Sequence, residues 1–292
     1  MNRRLLAIPL LVVPAALFAA QAERLTIRMV PAPNQTLHVQ STMDMTMTMT
    51  AEPTADGGLQ MPPVTSSMTT TAEHTTTVGP TDHDGHYNAK VVCDRVTHSA
   101  LLNGEPAPVP AGATDQLVGL AVTFSYDDQG KVLNVASEGT MDPGIAGSMK
   151  QILTTALAAA PPITLSVGES VTVPAQVNVP LPASISGTMT TSGETRYTLT
   201  SITFDGADRI AHLAVASRNT ITQAPGSGVT GASLEMQTTS EGRMDVNVDR
   251  GIVLHTETQS TIDGSSHITG GQVAMPPMRM HGTTKMSADL TK

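Results

Sequence analysis

The sequence predicts a mainly β protein, built as a long, curved, half-barrel-like antiparallel sheet with one central amphipathic helix. Two-residue alternation of apolar and polar side chains recurs along much of the chain and is typical of half-buried strands. Clusters of Gly, Asp and Asn separate these segments, as turns require. The chain has 17 Met but no Trp and only three Tyr and three Phe, so we expect a polarizable core that is poor in aromatic rings.

The clearest strand runs from position 37 to position 49. Its odd positions are Leu, Val and Ser followed by four Met, whereas its even positions are His, Gln, Asp and three Thr. Because successive side chains of a strand point to opposite faces, this pattern gives one apolar and one polar face. The apolar face carries Met43, Met45, Met47 and Met49.

Similar alternation predicts further strands in both halves of the chain. One runs from 118 to 126 into the turn 127–130, and another begins near 197 and ends before Asp205-Gly206. A third, at 244–248, ends at Asp249-Arg250-Gly251. The last, at 278–290, carries Met278, Met280, Met286 and Leu290 on one face. The short connections favour an antiparallel meander.

The central segment follows a different period and predicts a helix over 142–160. Asp142 is a suitable N-cap and Pro143 a suitable first residue, and Pro161-Pro162 would end the helix. Apolar residues then recur at helical spacing. They include Ile145, Met149, Ile152 and Leu153. We expect this apolar face to pack on the concave side of the sheet, as a plug or lid.

The N-terminal segment predicts export. Arg3 and Arg4 precede an apolar run that ends in small residues and an Ala20-Gln21-Ala22 cleavage pattern. We therefore expect residues 1–22 to be a signal peptide and 23–292 to be a single β-rich domain, periplasmic or secreted. No other stretch has the length and hydropathy of a transmembrane helix, so we predict no membrane span in the mature chain.

Charge and cysteine content narrow the class of partner. Without residues 1–22, 14 basic residues face 25 acidic ones, a net charge of −11. This balance argues against nucleic acid as a partner, since the scattered basic residues form no patch. Cys93 is the single cysteine, so the exported domain folds without an intramolecular disulfide, and its setting in an apolar run indicates a buried, unreactive thiol.

A weak internal repeat suggests a duplication. Leu37-His38, Gly57-Gly58 and Met61-Pro62-Pro63 occur in the same order as Leu254-His255, Gly270-Gly271 and Met275-Pro276-Pro277. Two hairpins of common origin would give halves at 23–140 and 163–292, joined by the helix. Chance similarity in a chain so rich in Thr and Met is the alternative.

An exported chain of long antiparallel strands with a central helix resembles the half-barrel carriers of the bacterial envelope, of the LolA/LppX type. It also resembles other exported β-rich bacterial proteins built on such sheets. The resemblance concerns architecture and spans most of the mature chain without a diagnostic motif. It implies a carrier of hydrophobic cargo and assigns no functional residue.

We therefore predict a non-enzymatic protein that binds a lipid or another hydrophobic ligand in an apolar groove, without a cofactor. The sequence contains no nucleophile elbow, zinc-protease or phosphate-loop motif. Methionine surfaces adapt to varied apolar ligands. The groove candidates are Met43, Met45, Met47, Met49, Ile145, Met149, Ile152, Leu153, Met278 and Met280. A structural or interaction module of the envelope is the alternative.

Two groups of residues suggest a metal-binding protein as a further alternative. His83 and His86, with Asp82 and Asp84, could present nitrogen and oxygen ligands from one turn, although Asp84-Gly85 is also an ordinary hairpin turn. The methionines of 43–49, and a second group at 275–281, would suit Cu(I). Same-face neighbours on a strand lie about 6.6–7 Å apart, too far to share one ion easily.

Overall fold

The computed structural model describes residues 24–52, 62–107, 117–127, 130–138, 162–180, 188–223, 231–269 and 276–291. Every regular element in these ranges is a β-strand, and the strands form one large antiparallel sheet and one two-stranded sheet. No helix within these ranges has the length and hydropathy needed to cross a membrane.

The strands are long, and several exceed 15 residues. The first seven are β1 (Leu25–Ile27), β2 (Thr36–Ala51), β3 (Val64–Val78), β4 (Tyr87–Leu102), β5 (Glu105–Pro106), β6 (Ala121–Tyr126) and β7 (Val132–Glu138). The others are β8 (Ile163–Leu165), β9 (Ser170–Pro180), β10 (Thr188–Asp205), β11 (Asp208–Gln223), β12 (Gly231–Asn247), β13 (Ile252–Thr269) and β14 (Met278–Thr291).

The large sheet is a meander whose two halves meet at its centre. Its order is β7-β6-β4-β3-β2-β14-β13-β12-β11-β10-β9, with β5 beside β4. The central pair joins β2 to β14, the last strand of the chain, with Met43 opposite Met286 and Met49 opposite Met280. The strands that meet here are far apart in the sequence. The other neighbours in the series follow one another along the chain, except that the short β5 lies between β4 and β6 in the sequence.

The two-stranded sheet of β1 and β8 supplies half of the main hydrophobic core. Leu25 is opposite Leu165 and Ile27 is opposite Ile163, and all four side chains are buried. They pack on the large sheet against residues from β10, β11 and β12. These are Leu199, Ala211, Leu213 and Val246. Each of these four is at most 1% exposed, so burial of apolar area is concentrated here.

A second cluster fills the neighbouring part of the same face. It consists of Val78, Ala89, Phe124, Tyr126 and Val135 from strands β3, β4, β6 and β7. Val30, just after β1, packs against this cluster. Gly251 has a φ of +67°, and a Cβ there would lie 2.1 Å from the Val30 carbonyl oxygen. Glycine is therefore required where the chain after β1 crosses the β12–β13 turn.

The sheet thus has two ends of different character. We call the part covered by β1 and β8, with the two clusters, the capped end. The opposite part, around positions 43–51 of β2, positions 278–286 of β14 and their cross-strand neighbours, is the open end. In the described part of the chain, neither of the two hydrophobic clusters contains a residue of the open end.

The predicted fold class is correct in its long antiparallel sheet and wrong in its helical component. The described residues form an all-β structure, and 142–160, with Ile145, Met149, Ile152 and Leu153, lies outside them. We expected a helix to cover the sheet, but at the capped end a β ribbon covers it. The apolar residues of β1 and β8 complete the core of the large sheet there, so no helix is needed at this end.

Most predicted strands are confirmed, with different limits. The segment of 37–49 belongs to β2, and the last predicted strand is β14. The strand expected from 118 begins at Ala121, because residues 117–119 form a turn in which Gly119 has a φ of +80°. Leu37-His38 and Leu254-His255, which open the suggested repeat, lie in β2 and β13, whereas its Gly-Gly pairs lie outside the described residues.

Candidate functional site

One face of the large sheet is almost free of charged side chains. Residues directly opposite each other project from the same face, so the register carries the face of Leu213 through Met244, Thr256, Ala288, Ser41 and Ala72. On this side, no Asp, Glu, Lys or Arg occurs in the described strands β2, β3, β4, β9, β10, β12, β13 and β14. In β11, Arg209, which lies beside the β10–β11 turn, is the one charged residue on this side of the described strand. We call this side the charge-free face.

The open end of the charge-free face contains a cluster of methionines. Its members come from the three adjacent strands β2, β3 and β14, and we call the cluster the Met patch. They are Met43, Met45, Met47, Met49, Met68, Met278, Met280 and Met286. Most are half-buried, whereas Met280 is 9% exposed and Met286 is 41% exposed. The patch is therefore accessible along part of its surface.

The register brings thioethers together across strands as well as along them. Met43 is opposite Met286, and Met49 is opposite Met280. Met45 is opposite Met68 of β3. The sequence placed the four methionines on one face of β2 and Met286 on one face of the last strand, but it named neither Met68 nor Met286 as a groove candidate, because their neighbours depend on pairing between strands. The alternation of β3 was the signal that could have placed Met68 on this face.

A glycine lies within the Met patch. Gly282 is opposite Met47, and a Cβ at Gly282 would lie 2.7 Å from the backbone oxygen of Thr46. Only glycine therefore allows β14 and β2 to approach this closely.

Six of the ten predicted groove residues lie together in the Met patch. Met43, Met45, Met47 and Met49 share one face, and Met278 and Met280 lie on the adjoining strand. The other four belong to 142–160, outside the described residues. The second predicted copper group is divided by the sheet. Its His281 projects from the opposite face, where Nδ1 is 2.6 Å from an oxygen of Asp263, and Met275 is outside the described residues.

Hydroxyl and imidazole groups are the polar groups of the charge-free face. Thr70 and His98 are opposite each other, with 3.0 Å between Oγ1 and Nδ1. His74 is opposite Cys93. Burial lowers the pKa of His74, and the carboxylate of Asp94 partly opposes this. Hydroxyl and imidazole groups can form hydrogen bonds, and burial favours the neutral form of the His74 imidazole.

Cys93 is half-buried on this face and forms no disulfide. Burial and the nearby Asp94 both raise the pKa of its thiol. A thiol with a raised pKa is mostly protonated at neutral pH and is a weak nucleophile. Its setting agrees with the expectation of an unreactive cysteine, although its side chain is less buried than the sequence indicated.

The opposite face carries the charged residues and contains a large cavity. The cavity, of about 1020 Å³, spans β12, β13, β14 and β2. Asp44, Glu241, Arg243, Glu257 and Lys285 line it together with several threonines. Arg243 and Glu257 form an ion pair of 2.9 Å between side chains that are more than half exposed. This cavity is mainly polar, and Met286 of the Met patch also borders it.

A row of alternating imidazoles and carboxylates crosses the charged face. His212 is opposite Asp245, Asp245 is opposite His255, and His255 is opposite Asp289. The Nδ1–oxygen distances are 2.7 Å for His212–Asp245 and 2.6 Å for His255–Asp289. His212 lies in β11 and His255 in β13. Their carboxylate partners belong to other strands, which the sequence alone does not align.

The predicted metal turn is an exposed hairpin turn. Ligand atoms of Asp82, His83 and Asp84 lie within 4.8 Å of one another, and all three residues are exposed. An oxygen of Asp82 accepts hydrogen bonds from the backbone N–H groups of Asp84 and His86, which lowers the pKa of Asp82. The imidazole of His86 is not part of the group. The carboxylate of Asp82 therefore already serves as a turn cap.

Comparison with known proteins yields no family. No family model matches the chain, and no curated protein matches it. Similar solved structures include one described as "Asymmetric conductivity of engineered proteins" and two mutants of Rh. blastica porin. Their sequence identities are 11%, 11% and 12%, and each has a TM-score of 0.28 while covering 85% of this chain and 99% of its own. At that TM-score, the likeness carries no argument about fold or function.

Proposed function

We propose that this chain is an exported, non-enzymatic protein that binds a lipid or another hydrophobic ligand on the open end of its charge-free face. The observation that carries the proposal is the absence of Asp, Glu, Lys and Arg from the described strands at the open end of that face, combined with its exposure beyond the capped end. A solvent-facing sheet surface ordinarily carries charged residues. An uncharged face of this length is therefore suited to an apolar partner.

The Met patch favours acyl chains over a rigid ligand. Thioether side chains are flexible and polarizable, so a surface of methionines can adapt to chains of different length and curvature. The hydroxyls of Thr284, Ser260 and Thr258 lie beside it on the same face. They offer hydrogen bonds to ester or hydroxyl groups without a charged partner.

Export is part of this proposal and rests on the N-terminal pattern. Arg3, Arg4, the apolar run and Ala20-Gln21-Ala22 have the order of a signal peptide. N-terminal sequencing of protein recovered from outside the cytoplasm should begin at Glu23. Recovery of the uncleaved chain from the cytoplasm alone would contradict the export step.

A matched pair of substitutions tests ligand binding. Thr284 projects from the charge-free face beside Met45, whereas its neighbour Thr283 projects from the charged face opposite Thr46. Thr284→Lys should weaken binding of a pyrene-labelled diacylglycerol by about ten-fold or more, because it places an ammonium group against the acyl chain. Thr283→Lys should leave binding unchanged.

Fluorescence titration measures both affinities, and circular dichroism confirms that each variant is folded. Native mass spectrometry of the wild-type protein, purified from lipid-containing cells, should show additional mass that organic extraction removes. Equal affinities for the two lysine variants would contradict the proposed surface. A wild-type protein that binds no diacylglycerol and carries no extractable lipid would overturn the proposed function.

A further inference from the structure

The Met patch has a second chemical property, which is independent of lipid binding. Along β2, methionines on the same face are about 6.6–7 Å apart. Directly opposite residues on antiparallel strands are closer, with Cβ atoms about 4.5–5.5 Å apart. The sheet pairs Met43 with Met286 and Met45 with Met68 in this way. Two thioethers of one pair can therefore reach a common ion without a change in the backbone.

We propose that Met43, Met45, Met68 and Met286 form a Cu(I) site on the open end. The two pairs are neighbours along β2, and long side chains can reach diagonally from one pair to the next. A pair therefore supplies two sulfur ligands, and a methionine of the adjacent pair can supply a third. Met286 is 41% exposed, which gives an ion access to the site from solvent.

The surroundings select for a soft, monovalent cation. Thioethers bind Cu(I) well, whereas Zn²⁺ prefers thiolate, imidazole and carboxylate ligands, and Ca²⁺ and Mg²⁺ prefer oxygen ligands. The charge-free face offers no carboxylate near these residues. The nearest imidazole in this row is that of His98, which is separated from Met43 by Thr70. We therefore infer a coordination shell of sulfur alone, in which copper stays Cu(I) and no electron is transferred.

Substitution of methionine by leucine separates this site from lipid binding. Leucine keeps the volume and apolar character of the side chain but removes the sulfur. The double variant Met43→Leu/Met286→Leu should therefore retain diacylglycerol binding and lose Cu(I). Met244→Leu is the matched control, since Met244 lies on the same face but packs against the core at the capped end.

The experiment is a competition for Cu(I) between the full-length protein and the chromogenic chelator bicinchoninate, with ascorbate to keep the metal reduced. We expect the wild-type protein and Met244→Leu to compete equally. The double variant should bind Cu(I) at least about ten-fold more weakly. X-ray absorption of the loaded wild-type protein should show only sulfur ligands.

Three results would overturn the inference. The first is an unchanged Cu(I) affinity in the double variant, and the second is a nitrogen or oxygen shell in the absorption spectrum. The third is an equal loss in Met244→Leu, which would mean that the loss does not depend on the proposed ligands. Diacylglycerol binding is measured on the same methionine-to-leucine variants with a separate probe. A failure to bind copper therefore leaves the proposed lipid binding intact, and a failure to bind lipid leaves the proposed copper site intact.

Discussion

The capped and open ends of the sheet share one alternating pattern but differ in what covers them. At the capped end, Leu199, Leu213 and Val246 are at most 1% exposed beneath β1 and β8. At the open end, Met43, Met45, Met47 and Met49 are half-buried on the same face. Alternation thus specifies which side chains share a face, whereas a separate element decides whether that face becomes a core or a surface.

The contrast also separates stability from function within a single sheet. Burial of apolar area at the capped end supplies most of the hydrophobic stabilisation, since that area is removed from water on folding. The open end keeps apolar area exposed, which costs free energy unless a partner covers it. We therefore expect substitutions at the capped end to act on folding and those at the open end to act on binding.

The largest expected effect is a cavity at the capped end. Leu199→Ala should lower the free energy of unfolding by about 2–5 kcal/mol, because the side chain is fully buried and its neighbours relax only partly. Met47→Ala at the open end should cost about 1 kcal/mol, since Met47 is half-buried and faces Gly282. Urea denaturation followed by circular dichroism measures both. Equal losses would show that the open end is packed as a core.

A smaller difference is expected between two ion pairs. Arg209 binds Asp249 through its backbone N–H, Nε and Nη2, at distances of 2.6–3.3 Å. At the open end, the side chain of Arg279 is 77% exposed and pairs with Glu52 through a single 2.6 Å contact. Asp249→Asn should therefore cost about 1 kcal/mol, and Glu52→Gln less than about 0.5 kcal/mol.

The Asp249 contribution should also depend on pH. Hydrogen bonds from Arg209 hold the pKa of Asp249 below its ordinary value. The stabilisation is therefore present above the pKa of the unfolded chain and is lost as the pH falls through the lower folded value. Urea midpoints measured from neutral to acidic pH should converge for the wild-type protein and Asp249→Asn. A constant difference over that range would contradict the role of the carboxylate charge.

The smallest expected effect concerns His74, which lies between the two ends. Its pKa is lowered, mainly by burial, so the folded state favours neutral imidazole. The contribution of His74 to stability should be fully present above the pKa of unfolded histidine and should decrease as the pH falls below that value. His74→Gln should therefore reduce the loss of stability between about pH 8 and about pH 5. If the variant loses as much as the wild-type protein, His74 titrates as it does in the unfolded chain.

The sequence predicted strands well because their signal is local. The odd positions of 37–49 and the even positions of 278–290 each lie on one face, as β2 and β14 confirm. The central helix was predicted from caps and helical spacing in 142–160, which lie outside the described residues, whereas the described part is all β and the ribbon of β1 and β8 covers the sheet at the capped end. The three-residue strands β1 and β8 are too short to show a period, so sequence analysis could not propose them as the cover.

The candidate site was predictable in part for the same reason. The four methionines of β2 stand out in one short segment, whereas Met68 and Met286 join them only through the register of β3 and β14. Likewise, His212 and Asp245 are far apart along the chain and 2.7 Å apart in the sheet. Pairs of this kind are fixed by strand order and register, and a single sequence contains no direct record of either.

The sequence by itself therefore determined the class of structure and the chemistry of each face. Alternation has a fixed period of two, so it places Met, Thr and Ser on one side and the charges on the other without reference to distant residues. The tertiary structure decided the order of the strands, the meeting of β2 with β14, and the burial of one end beneath β1 and β8. Those features depend on contacts between segments that are distant in the chain. Burial of apolar side chains and pairing of strands in register stabilise these contacts.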